Sequence, residues 1–169
     1  QAGLPMVTFN INGEQHRGVG WFDLNKRGIM RESSSVAYLH PLSRWGDTLT
    51  FYLNQYITRI LIENGRAVGV QTADGPIYSD GDLIVCCGAF DSPKLLLLSG
   101  IGPAAHLKAM NVDLVHDLPG VGEHLLDHPE GVVNWETSRP MPPEAANFWE
   151  VGIFDKTDPS LPAPDLMMH

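Results

Sequence analysis

With 169 residues, 43% of them hydrophobic and 18% charged, the chain holds enough apolar material for one sizeable core and has the composition of a soluble globular protein. Twenty acidic against 11 basic residues leave a net charge of −9, which argues against nucleic acid as a partner and modestly favours a cationic one, though solubility accounts for the excess equally well. The apolar runs are a few residues long, far below the roughly 20 needed to cross a bilayer, so no transmembrane segment is expected; Gln1 to Pro5 has no basic region leading into an apolar stretch.

In chain order, Gln1 to Pro5 reads as the tail of a helix with Gly3 as its cap, and at the other end Met167 to His169 reads as an apolar, strand-like run. The expectation is an internal piece of a longer polypeptide. Gly18 and Gly20 in RGVGWFD lack both a preceding apolar strand and a third glycine at the required spacing, so a dinucleotide fingerprint is rejected there. Ser33 or Ser34 can cap a short helix running through Tyr38.

From Leu49 to Ile84 the pattern is that of strands. Thr50 to Leu53, Tyr56 to Ile62 and Arg66 to Thr72 are expected to be extended, with turns at Glu63 to Gly65 and at Asp74-Gly75; Asn-Gly and Asp-Gly are the strongest short hairpin signals. Asp82 to Cys87 is a nearly continuous apolar run, as in a strand buried on both faces. Cys86 and Cys87, adjacent on it, would point to opposite faces and cannot build a disulfide framework, which suits a reducing cytoplasm.

The chain then turns through Gly88 and Ala89 into a helix that Ser92 is expected to cap, with Pro93 at its first position, Leu95 to Leu98 as its apolar body and Gly100 as its stop. Small residues in such a turn let a ligand approach the backbone, and the helix start offers free N–H groups to an anion. A short helix over Ala104 to Met110, with His106 solvated, and a strand over Asn111 to Asp117 follow.

The spacing in GAFDSPKLLLLSGIGP, residues 88 to 103, resembles the second signature of the glucose–methanol–choline (GMC) oxidoreductases, flavoenzymes that oxidise alcohols with FAD. The pattern from Gly28 to Leu39 and the run LPGVGEHLLDHPEG, residues 118 to 131, are similar to the same family. The resemblance implies an α/β (mixed α+β) fold: part of a Rossmann-like FAD-binding domain with a β-meander over residues 1–125, and the start of the substrate-binding domain over 126–169. It implies Gly88, Ala89 and Ser92 as cofactor-binding residues and Ile57 beside the adenine. Asp127 and His128 could pass for a catalytic dyad, but no nucleophile accompanies them, and they read as a hydrogen-bonded pair near the cofactor.

DHPEGVVNWE, FWEVGIF and PDLMMH narrow the resemblance to the choline-oxidising branch of the family. A quaternary ammonium donates no ordinary hydrogen bond, so a carboxylate and aromatic faces must hold it. The resemblance assigns Glu130 and Trp149 to the substrate cation and His169 to the alcohol oxygen as the catalytic group, with oxygen or another electron acceptor completing turnover and a homodimer left open. No GxGxxG strand–turn–helix and no histidine of the family's covalent-flavin segment occur in the sequence, so a complete FAD site is not expected from these residues alone. Two readings stay open beside choline oxidation: a GMC oxidoreductase for another alcohol, and an inactive binding or scaffold module.

Overall fold

The computed structural model describes residues 3–9, 17–42, 49–134, 136, 138–140 and 150–169. In chain order the elements are β1 (Gly18–Trp21), β2 (Lys26–Arg27), β3 (Met30–Arg31), a π-helical turn (Ser35–Leu39), β4 (Ile57–Glu63), β5 (Arg66–Thr72), β6 (Gly75–Tyr78), α1 (Gly88–Leu98), β7 (Ile101–Gly102), α2 (Ala104–Ala109), β8 (His116–Asp117), β9 (Val151–Asp155) and β10 (Leu166–Met168). They fall into two units, Gln1–Thr48 with Val133–His169, and Leu49–Val132.

In the first unit β9 lies between β1 and β10 and is antiparallel to both, with Gly20 opposite Gly152 and Met167 opposite Phe154. Pro5 to Val7 runs along β1: Val7 N–H donates to the Val19 carbonyl at 2.9 Å, and Val19 N–H to the Pro5 carbonyl at 2.9 Å. That approach explains the glycine pair of RGVGWFD. A Cβ on Gly18 would lie 2.7 Å from the Pro5 oxygen, and one on Gly20 2.6 Å from the Val7 oxygen. The rings of Phe9, Phe22 and Phe154 cluster with centroids 5.0–6.3 Å apart, two of the three pairs edge to face. The expected cap at Ser33 is present, its Oγ accepting from Val36 N–H at 3.3 Å, but the turn that follows is π-helical.

The second unit is built on the antiparallel sheet β4-β5-β6. Asn64 and Gly65, with φ of 51° and 77°, form the two-residue connection between β4 and β5; positive φ at both positions is what an Asn-Gly hairpin turn requires. The next turn falls one residue earlier than expected. Thr72 pairs with Gly75, Thr72 Oγ1 accepts from Asp74 N–H at 3.1 Å and donates to the Gly75 carbonyl at 2.8 Å, so Ala73-Asp74 turns and Gly75 already belongs to β6.

Helix α1 packs on β4. The buried Ser99 hydroxyl joins them, accepting from Ile60 N–H at 2.8 Å and donating to the Leu95 carbonyl at 2.6 Å. Gly100 then takes φ of 81° and ends the helix as expected. The parallel pair β7–β8 returns beside it, and the Asp117 carboxylate accepts from Ala104 N–H at 3.0 Å at the start of α2. Leu107 of α2 is 1% exposed and, with Ile60, Leu95 and Val121, makes the buried apolar core among the described residues.

Four local expectations are corrected. Residues 82–87 form no strand: among the described residues no neighbour pairs with them, so the segment runs outside any ladder, and Cys86 and Cys87 are exposed rather than buried. Burial on both faces needs partners on both sides, which the run's own composition cannot supply. Helix α1 begins at Gly88, with Cys87 as its N-cap, so Pro93 lies inside the helix and Ser92 acts from within: its Oγ accepts from Cys87 N–H at 3.1 Å. Thr50 to Leu53 is not a strand; it enters a bend completed by Asn54 at φ 58°. Of Asn111 to Asp117 only His116 and Asp117 pair, because Asn111, at φ 55°, still belongs to the turn that ends α2.

Candidate functional site

The groove of the second unit, about 610 Å³, is lined by the first turns of α1 and by Gly120 to Leu126. Small-molecule sites have volumes of roughly 300–1,000 Å³. Phe90, Pro93, Lys94 and Leu97 contribute one helix face, the i, i+3, i+4, i+7 spacing that puts side chains on one side of a helix. The opposing loop is seated by Val121, which is 9% exposed, and by Gly122, where a Cβ would lie 3.7 Å from Leu97 Cδ1. Two of the segments that carry the family resemblance, residues 88 to 103 and 118 to 131, thus meet in space although fourteen residues separate them.

Gly88 opens the helix with φ of 84°, a conformation that disfavours side chains, and nothing lies within 4 Å of where its Cβ would be. The N–H groups of Gly88, Ala89 and Phe90 belong to the first turn, where an α-helix has no internal acceptors for them. Asp91 in that turn suits the positive end of the helix dipole. It also pairs with Lys94 at 3.1 Å, and this hydrogen bond and charge, with a smaller contribution from Tyr56, hold the Lys94 ammonium above its usual pKa.

Ala89 and Ser92 line the groove and Gly88 lies at the helix start beside them. Ile57 is the half-buried first residue of β4, opposite Thr72. Asp127 and His128 follow the groove loop with exposed side chains; Asp127 Oδ1 accepts from His128 N–H at 2.8 Å and stands 4.0 Å from His128 Nδ1. Glu130 is exposed in the irregular segment after them, within the second unit. His169 is exposed and follows β10 in the first unit. Trp149 lies outside the described residues. Among the described residues no three His, Cys, Asp or Glu side chains are grouped to hold a metal ion, and no helix is long and apolar enough to cross a membrane.

Phe90, Lys94 and His124 line the groove as well and were not among the expected site residues. Phe90 joins the helix once its start is placed at Gly88 rather than at Pro93, and helical spacing then puts Lys94 on the same face. His124 sits in an irregular loop, where no periodicity reports which way a side chain faces.

A protein-family model described as GMC oxidoreductase matches residues 1–130. The chain is similar over its whole length to choline oxidase of Arthrobacter globiformis, at 41% identity covering 32% of that protein, and to mitochondrial choline dehydrogenase of Homo sapiens, at 35% identity covering 33%. It therefore spans about a third of the length of these relatives. Among solved structures, pyridoxine 4-oxidase from Mesorbium loti is similar with a TM-score of 0.60 at 30% identity, over 69% of this chain and 23% of that one. An FAD-dependent oxidoreductase from Chaetomium thermophilum gives 0.60 at 26% identity, over 70% and 21%. With the family-like segments over residues 88–103 and 118–131 meeting on one groove and its helices and strands matching these structures, the chain belongs to the GMC oxidoreductases, FAD flavoproteins whose Rossmann-like α/β domain it shares in part.

Proposed function

We propose that the chain is a segment of an FAD-dependent oxidoreductase that oxidises choline, through betaine aldehyde towards glycine betaine. The observation that carries the flavin part is the convergence of the α1 start and the Gly120–Leu126 loop on one groove. The choline part is supported by 41% and 35% identity, along the whole chain, to proteins named choline oxidase and choline dehydrogenase. In this reading residues 1–125 belong to the FAD-binding domain and 126–169 begin the substrate-binding domain.

The residues present fit part of the cofactor. Gly88 leaves open space at the mouth of α1, the adjoining N–H groups can donate to phosphate oxygens, and Phe90, Leu97 and Val121 give the groove apolar walls. Gly88, Ala89, Ser92, Asp127 and His128 would hold it, with Ile57 beside the adenine. When bound, FAD supplies the hydride acceptor. The chain's own residues bind and orient the substrate: Glu130 offers the cation a carboxylate and Trp149 an aromatic face, while His169 hydrogen-bonds the alcohol oxygen and takes its proton. Imidazole suits that task because its pKa lies near neutrality and its N–H can stabilise a developing alkoxide. Oxygen or another electron acceptor completes turnover, and the two free cysteines favour a reducing cytoplasm as the location.

The test is steady-state kinetics of Glu130→Gln in the full-length enzyme with choline and with its neutral isostere 3,3-dimethylbutan-1-ol. Glu130 is exposed without substrate, and in this reading the bound cation covers it; removing one partner of such a desolvated charge pair costs about 2–5 kcal/mol, so KM for choline rises steeply while that for the isostere barely moves. Trp149→Phe shifts the same ratio less, because Phe keeps a weaker cation-attracting face. Equal losses on both substrates would move Glu130 to fold or flavin support and return the enzyme to a GMC oxidoreductase for another alcohol.

A further inference from the structure

We infer that His124 is a further cofactor contact, its imidazole donating a hydrogen bond to an oxygen of the flavin nucleotide in the groove; this rests on the reading of that groove as the flavin site. Two observations meet on this residue. It lines the groove, with its side chain exposed and therefore available to a ligand. Its backbone is left-handed, at φ 56°, one of four described residues other than glycine with positive φ.

The other three stand where a turn demands that conformation and asparagine, which tolerates it, supplies it: Asn54, Asn64 and Asn111. His124 follows Gly122, at φ 81°, so the loop winds through two left-handed residues within three positions. A side chain on a left-handed residue leaves the backbone in a direction that a right-handed residue cannot give it. The conformation costs some stability for any residue but glycine, and such residues collect at ligand clamps. The imidazole joins Lys94 across the groove as a nitrogen donor in a wall otherwise supplied largely by apolar side chains and glycines.

The test separates the turn from the contact, because the two roles rank the same substitutions differently. The intact enzyme is stripped of flavin and titrated with FAD, and its melting temperature is measured, for His124→Gly, His124→Ala and His124→Asn. As a contact, His124→Gly and His124→Ala both raise the Kd for FAD about five- to tenfold, the worth of one hydrogen bond, and His124→Asn recovers part of the loss. Melting temperature follows the backbone instead, with glycine above alanine. FAD affinity kept by glycine and asparagine and lost only by alanine would overturn the inference and leave His124 a turn residue.

The groove itself is tested by Gly120→Phe. Gly120 borders it without positive φ, and nothing lies within 4 Å of its would-be Cβ, so the ring can enter the groove without straining the fold. FAD binding unaffected by Gly120→Phe would remove the flavin reading and this inference with it. FAD binding blocked by Gly120→Phe, with all His124 variants unchanged, would remove the inference alone.

Discussion

The two units are closed by different means. In the second, apolar side chains disappear from solvent: Ile60 of β4, Leu95 of α1, Leu107 of α2 and Val121 of the groove loop are buried, and the polar residues buried with them, Thr72 and Ser99, spend their hydroxyls on backbone groups. In the first, the buried residues among those described are glycines, Gly18, Gly20 and Gly152, each covered by backbone or by an aromatic ring. Among the described residues this sheet is closed by bringing main chain and rings onto bare backbone. The difference bears on the proposed function, since the groove that joins two of the family-like segments is mounted on the unit whose described residues include an aliphatic core, and a site held to small tolerances needs rigid support.

That contrast can be broken or sharpened by substitution. The largest effect is expected from Leu107→Ala, which empties a site 1% exposed and should cost about 2–5 kcal/mol in urea unfolding. A loss under about 1 kcal/mol would mean that the second unit is not held by its core. Ser99→Ala comes next. It strips Ile60 N–H of its acceptor beneath α1, and an unsatisfied buried donor costs about 1–3 kcal/mol. Hydrogen exchange at Ile60 should accelerate, and unchanged protection there would show that another acceptor replaces the hydroxyl.

In the first unit, Gly152→Ala would place a methyl 2.1 Å from the Phe22 ring and displace a member of the aromatic cluster. Overpacking costs about 1–3 kcal/mol, towards the low end here because a ring can move. Near-ultraviolet circular dichroism should weaken while the second unit's amide protection holds; loss of protection in both would contradict their separate closure.

The smallest effect is expected from pH. The Asp155 carboxyl is held below the usual range by the hydrogen bond from Arg17 and by Lys156 N–H, Asp158 by Ser160, and Asp165 by Thr157. A depressed carboxyl pKa adds stability that is present above the ordinary value of 3.8 and is lost as pH falls through the folded one. The β9–β10 connection should therefore loosen in strong acid while staying unchanged across neutral pH. Asp158 and Asp165 are exposed and Asp155 is half-buried, so the effect is small and the readout is amide exchange at Lys156, Thr157 and Ser160; exchange rates that follow only the intrinsic pH dependence down through that range would discard the idea.

Local chemistry was legible in the sequence wherever neighbouring residues decide the outcome. Asn64-Gly65 turned as expected because few other pairs accept positive φ twice, Gly100 ended α1, Ser33 capped its turn, and the spacing of GAFDSP and GVGEHL carried the family. Where partners decide, the tertiary structure was needed. Asp82 to Cys87 has a buried strand's composition, but a strand exists only through a neighbour, and the described chain offers it none. Ser92 and Pro93 carry the signs of a helix start, yet α1 begins five residues earlier, at Gly88, whose positive φ turns the chain into the helix, and the Ser92 hydroxyl reaches back to Cys87 N–H from within it. The groove is the clearest case. Its two walls are separated in sequence, and the burial of Val121 with the approach of Gly122 to Leu97 brings His124 to the same opening as Ala89 and Lys94. Sequence fixes which groups are present and how each prefers to turn; which of them share a site depends on contacts between distant segments, and local preferences do not encode those contacts.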